Sequence, residues 1–228
     1  MGSSFGIISQ TGNNIQTEGL VFYVDPAYKK SYPGSGTTVN DLVGTIEGTF
    51  QNSPGFESNN NGIFEFDGSD DRISLTSSPN LSPGTGDFTF SIWANPTSYT
   101  GTYMGWFVIA TTGGLWVGIS NNNEYILRAY GVANIVSFST KPTTGVWTNV
   151  TITRISNTST IYYNAVSKAS NTDNRDYGQA TGYIADDGGG TDYNGKFGPI
   201  MFYKGKGLTQ AEVLQNYNAQ KGRFGLWK

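Results

Sequence analysis

Phe88-Thr89-Phe90-Ser91-Ile92-Trp93 alternates large apolar and small polar side chains. A period of two is that of a β-strand, and it puts Phe88, Phe90 and Ile92 on one face. The same kind of run recurs on both sides. Upstream, Leu20-Val21-Phe22-Tyr23-Val24 stops at Asp25-Pro26, and Ile63-Phe64-Glu65-Phe66-Asp67 follows the turn signal Asn61-Gly62 and ends at Gly68. Downstream, Gly113-Gly114 separates Met104–Ala110 from Leu115–Ser120, and Asn121-Asn122-Asn123 turns the chain into Tyr125–Tyr130. Trp147–Arg154, Thr160–Ala165 and Gly198–Tyr203 complete the apolar set. About eleven short strands at regular spacing predict an all-β sandwich of two antiparallel sheets.

Composition agrees. The 228 residues include 31 glycines and 14% aromatics, whereas charged residues make up 14%, against about 25% in ordinary domains. Short strands joined by tight turns have this composition. Neither a Pro/Ser-rich linker nor a charge run divides the chain. The polar residues 1–18 are expected to form an arm, and residues 19–228 a single domain.

The chain has no Cys and no His. Disulfides, thiolate zinc sites, Ser-His and Cys-His nucleophile pairs and imidazole acid–base chemistry are therefore excluded. A net charge of −3 without a basic cluster argues against nucleic acid as a partner. No apolar run approaches the roughly 18–20 residues that span a bilayer. Met1–Gln10 has neither a basic n-region nor a long apolar h-region, so no secretory signal is expected there.

A helix is expected near the end. Thr209-Gln210-Ala211-Glu212 reads as a capping box, with Leu208 and Val213 placed as its hydrophobic staple. Val213, Leu214 and Tyr217 form an apolar stripe at helical spacing, and Gly222 is the expected stop.

In order, Gly19–Asp25, Phe66–Asp71, Phe88–Trp93, Gly145–Thr151, and Phe202-Tyr203 ahead of the capped helix resemble a laminin-G-like domain of the concanavalin A-like lectin and glucanase superfamily. No single motif is specific; the ordered series carries the resemblance over about residues 19–225. It implies a jelly-roll fold. Ser31–Thr37, Asn216–Ala219 and Lys221–Phe224, taken with Leu20–Asp25, make the chain similar to laminin-G-like domains in virion proteins of tailed bacteriophages. That likeness implies a non-enzymatic capsid decoration or tail- or fibre-associated protein, present in multiple copies. It would be made in the host cytoplasm and held to other virion proteins through its arm or a sheet surface. The alternative is a stand-alone carbohydrate-binding module or adhesin domain, extracellular or at a cell surface.

Three constellations are candidates for chemistry. Glu65 and Asp67 share a strand face, as paired carboxylates in a retaining glucanase must, but the family's Glu-x-Asp-x-x-Glu motif ends here in the shorter Asp70. An ordinary Phe-Asp-Gly turn accounts for the same residues, and no enzyme is expected. Asp186, Asp187 and Asp192 flank glycines and offer hard oxygen ligands for Ca²⁺, with Asp67, Asp70 and Asp71 as an alternative set. A solvated hairpin loop is the competing expectation, and no cofactor is required. For cell-surface polysaccharide, Trp116, Arg128 and Tyr130 share a parity on adjacent strands, with Tyr99, Tyr103 and Trp106 as alternates near a loop. Sugar CH faces stack on rings while planar polar groups hold hydroxyls. The leading expectation is that Trp116 and its neighbours are core.

Overall fold

The computed structural model describes residues 14–76, 79–99, 103–140, 142–178, 181–186 and 192–227. Among them are sixteen strands: β1 Leu20–Val24, β2 Thr38–Asn40, β3 Glu47–Gln51, β4 Gly55–Glu57, β5 Ile63–Asp67, β6 Arg72–Leu75, β7 Phe88–Pro96 and β8 Met104–Ile109, then β9 Leu115–Ile119, β10 Tyr125–Ala129, β11 Ala133–Phe138, β12 Thr148–Ile155, β13 Thr158–Tyr163, β14 Val166–Thr172, β15 Gly182–Ile184 and β16 Asn194–Lys204. The first sheet runs β14-β13-β12-β7-β16-β5-β4, with β1 also on β16. The second runs β11-β10-β9-β8-β15-β6-β3-β2. All the strand pairings are antiparallel. The result is a jelly-roll sandwich with one short C-terminal helix, as expected.

The count exceeds the expected eleven in part because four strands are too short or too polar to show apolar alternation. β2, β4 and β15 have three residues each, and β14 is Val-Ser-Lys-Ala-Ser-Asn-Thr with no buried position. Two hairpins turn without Asn-Gly: Ser156-Asn157 joins β12 to β13, and Asn164-Ala165 joins β13 to β14. All four residues adopt positive φ, as a two-residue primed turn requires.

Between the sheets, Phe88, Phe90 and Ile92 of β7 face Phe107, Ile109, Leu115, Val117 and Leu127 in one continuous core. Phe107 is tilted against Phe90 at 5.0 Å and stacks with Phe202 at 5.8 Å. Each fully buried large side chain contributes about 1.5–3 kcal/mol. At one end of the core lies Arg154, with no exposed surface. Its Nε donates to Gly86 O at 2.9 Å, Nη1 to Arg175 O and Nη2 to Gly84 O, both at 2.7 Å. Asp173 stands 3.7 Å away, itself accepting from Ser159 and Tyr177, and the rings of Phe88 and Tyr177 flank the guanidinium. Every part of this buried charge is compensated.

The outer face of the first sheet is covered. Helix α1, Gln210–Gln220, starts with the complete capping box of Thr209 and Glu212. Leu208 and Val213 pack with Tyr23, Met201 and Tyr203 in a second cluster. The expected stripe is corrected at Leu214, which is 45% exposed, while Asn216, Ala219 and Gln220 are buried. Beside that apolar cluster the covered sheet face carries polar groups, and the helix buries polar side chains with them. Ser91, Asn149 and Thr151 bond one another there, and Trp93 Nε1 donates to Gln220 at 2.8 Å. Trp93 also stacks on Phe224 at 4.4 Å and on Tyr217 at 5.6 Å.

Residues 14–18, in the segment expected as an arm, lie on this cover. Ile15 is buried in the second cluster, Gln16 N donates to Asn216, and Gln215 donates to Asn14 O. Residues 1–13 lie outside the described residues. Two of the segments that carried the resemblance meet as an ion pair, Arg223 Nη1 to Asp25 Oδ1 at 2.6 Å, with Tyr23 donating to the other Asp25 oxygen. Their role is structural.

Candidate functional site

The outer face of the second sheet has no described helix or strand across it. Alternation decides what it shows. β10 sends Tyr125, Leu127 and Ala129 into the core, and β9 sends Leu115, Val117 and Ile119 there. Trp116, Ile126 and Val108 therefore point outward, where they form a small cluster of their own, flanked by half-buried Tyr103, Ala110 and Tyr130. Trp116 has room because the next outward position is Gly118. A Cβ there would lie 2.8 Å from Trp116 Cη2 and 2.1 Å from Met104 O. The indole thus lies along the sheet, 1% exposed.

Arg128 completes the arrangement. Its guanidinium lies 4.3 Å from the Tyr103 ring centroid and 5.6 Å from that of Trp116, and those two rings are nearly perpendicular. Arg128 is half-buried, and among the described residues no carboxylate pairs with it. Its Nε is shielded from water and meets no acceptor. Further along the sheet, Arg72 stacks over Tyr183 at 5.5 Å and donates to Asp186 at 3.1 Å.

Of the six residues expected at a sugar platform, the structure brings four together. Tyr103, Trp116, Arg128 and Tyr130 share one patch, but the Trp116 ring forms its floor under Arg128 and Tyr103 rather than an open stacking surface. Trp106 is corrected outright. A β-bulge between Gly105 and Phe107 sends both Trp106 and Phe107 inward, and Trp106 packs on Tyr125, Tyr193 and Phe197 in the core. Tyr99 is held against the core, its hydroxyl bonded to Pro142 O at 2.5 Å. Burial, reinforced by Tyr163, pushes the Tyr99 phenol well above its usual range. Sequence reasoning missed the Arg72–Tyr183 stack because β15 is too short to be read.

Glu65 and Asp67 line an open pocket of about 540 Å³ with Asn52, Ser53, Asp71, Thr97 and Asn194. Phe66 is the pocket's one aromatic lining residue, and it is buried. Lys196 lies 3.5 Å from Glu65 and 2.7 Å from Glu57. That contact holds the Glu57 carboxyl below its ordinary range and raises the Lys196 ammonium. Asp67 Oδ1 accepts from Ser69 N at 2.7 Å, the turn expected from Phe-Asp-Gly. Asp67, Asp70 and Asp71 bring ligand oxygens within 4.8 Å of one another, the one such acidic group among the described residues. Burial, then repulsion from Asp67 and Asp70, raises the Asp71 carboxyl despite its bond from Asp67 N.

Of the other expected Ca²⁺ set, Asp186 and Asp192 are among the described residues and both are buried. Asp186 is buried and neutralised by Arg72, and Asp187 lies outside the described residues.

The fold has solved counterparts. Trypanosoma rangeli sialidase aligns at 13% identity with a TM-score of 0.68, over 93% of this chain and 34% of that one. Domain 4 of AbnA, an extracellular arabinanase from Geobacillus stearothermophilus solved with arabinotriose, aligns at 16% and 0.65, over 89% of this chain and 100% of that one. The binding domain of Paraclostridial Mosquitocidal Protein 1 aligns at 13% and 0.70, over 88% and 52%. The chain thus spans about a third of the sialidase's length. No curated protein sequence matches it. A laminin G-type family profile matches residues 67–214, well over half of the 228. With two eight-stranded antiparallel sheets and that match, the chain belongs to the concanavalin A-like lectin/glucanases superfamily.

Proposed function

We propose that this chain binds carbohydrate without cleaving it, on the outer face of the second sheet. The observation that carries the reading is the Tyr103–Arg128–Trp116 stack on a sheet face that no described helix or strand crosses. It offers what a sugar needs: the half-buried Tyr103 ring for CH groups and fixed planar donors of Arg128 for hydroxyls. The arabinotriose complex of domain 4 of AbnA, a domain that aligns along its whole length, supports the reading.

Against catalysis stands the Glu65–Asp67 pocket, which lacks an exposed ring and whose acids are engaged by Lys196 and Ser69. Cation binding is not needed for either role. The test is a glycan array on the soluble protein, followed by calorimetry with Tyr103→Ala. Loss of one stacking ring should weaken binding by about 1 kcal/mol, roughly fivefold. Unchanged affinity would move the site elsewhere, and hydrolysis abolished by Glu65→Gln would make the chain an enzyme.

We further propose that the binding serves a tailed-bacteriophage virion, as a capsid decoration or a tail- or fibre-associated component in several copies. The likeness carried by Leu20–Asp25, Ser31–Thr37 and Lys221–Phe224 supports this, and several copies would supply avidity for weak surface glycans. The test is particle-associated mass. Hundreds of copies per particle mean capsid decoration, a handful mean tail or fibre. Free monomer with no particle association would leave a stand-alone carbohydrate-binding module or adhesin domain.

A further inference from the structure

We propose that the ligand of this face is an acidic oligosaccharide, with Arg128 gripping a sugar carboxylate. This rests on the carbohydrate-binding reading above and adds to it the charge of the ligand. Three observations support it. First, Arg128 is the guanidinium of the patch without a counter-charge: the salt bridges among the described residues satisfy Arg72, Arg154 and Arg223 but not Arg128. Its Nε is closed off from solvent and meets no acceptor, so the charge can be offset only where the half-buried guanidinium reaches solvent.

Second, the cation is fixed in place. Tyr103 and Trp116 hold its plane from two nearly perpendicular sides. A prepositioned fork loses little side-chain freedom on binding and matches a carboxylate with two parallel hydrogen bonds. Lysine would offer only a point charge.

Third, the patch extends in line. Cross-strand partners run Arg128–Trp116–Val108–Tyr183 over β10, β9, β8 and β15. Tyr183, with Arg72 stacked on it, therefore stands three strands from Arg128, roughly 14 Å away at the usual strand spacing. The two arginine–ring pairs are spaced for a short oligosaccharide lying across the strands, and Asp186 partly neutralises only the second. Acidic residues of the same strand parity lie away from this row. Glu124 is four residues from Arg128, about 13 Å along an extended chain, and Glu47 is on β3 at the far side.

The experiment is calorimetric titration of the whole chain with tri-galacturonate, tri-mannuronate and sialyllactose, each beside its neutral methyl ester. At least one acid should bind about 10- to 100-fold more tightly than its ester, the range of a charged hydrogen bond. The excess should shrink as salt is raised. Arg128→Gln should bring acid and ester to equal affinity, and Arg128→Lys should recover only part of the difference. Because the Arg128 side chain makes no salt bridge or hydrogen bond to a described residue, both variants are expected to keep the fold, which circular dichroism checks. Equal binding of acid and ester by the unmodified chain would overturn the acidic ligand and leave the carbohydrate reading standing. Binding of no sugar of either kind would overturn both.

Discussion

Arg154→Met is the sharpest test of how the sandwich is held at its end. Methionine fills much of the same space but removes a buried charge and all five of its donors. Gly86 O and Arg175 O lose their donors, Gly84 O keeps only Tyr177 N, and Asp173, also without exposed surface, loses its cation. Breaking one side of a buried pair costs about 3–5 kcal/mol. For a chain of this size each kcal/mol lowers Tm by about 2–4 °C, so the drop should be roughly 6–20 °C. Differential scanning calorimetry reads it directly. Asp173→Asn keeps the acceptor for Ser159 and Tyr177 while removing the stranded charge. The double variant should therefore be more stable than the summed single effects by about 1 kcal/mol or more. A Tm within about 3 °C of the unmodified protein for Arg154→Met would refute the argument that this buried cation holds the loops at residues 84–86 and 175.

The remaining predictions concern the helix, the face and the rim. Thr209→Ala removes the cap of α1 and should cost about 1 kcal/mol by urea unfolding, with little added loss when Glu212→Gln is combined, since both act in one box. Gly118→Ala puts a methyl against Met104 O and the Trp116 ring. It should destabilise by about 1–3 kcal/mol and weaken sugar binding, because the floor under Arg128 shifts. At Asp71 the folded-state carboxyl is raised, first by burial and then by Asp67 and Asp70. Ionisation therefore disfavours the folded state, a cost absent below the unfolded carboxylate range and complete above the folded one. Asp71→Asn should raise Tm at pH 7 and leave it unchanged at pH 3, and equal shifts at both pH values would show that ionisation of Asp71 is not the cause.

Much of the fold could be read because its central strands write their burial into the sequence. β7 alternates Phe, Phe and Ile against Thr, Ser and Trp, and the capping box of α1 is spelled out in four residues. What was hidden has identifiable causes. β14 pairs on one edge through backbone groups that any polar sequence offers. The bulge at Gly105 breaks the parity on which the placement of Trp106 depended. The apolar stripe predicts Leu214 as core because a helix usually buries its apolar side, yet this one turns the amides of Asn216 and Gln220 inward, toward Tyr203 and Trp93. At the site, parity correctly aligned Trp116 with Arg128. It did not say that Gly118 lets the indole lie down beneath the guanidinium, nor that β15 brings Tyr183 to Arg72.

The cover of the first sheet also fixes which way the molecule is mounted. Residues 14–18 lie beside α1, and Phe224 near the other end is wedged between Trp93 and Trp147. Both ends of the described chain thus leave from the same side, behind the sheet opposite Arg128. Anything joined at either end grips the domain by its back, like a shield held by its handle. A row of such domains held from that side would present the Arg128 face outward.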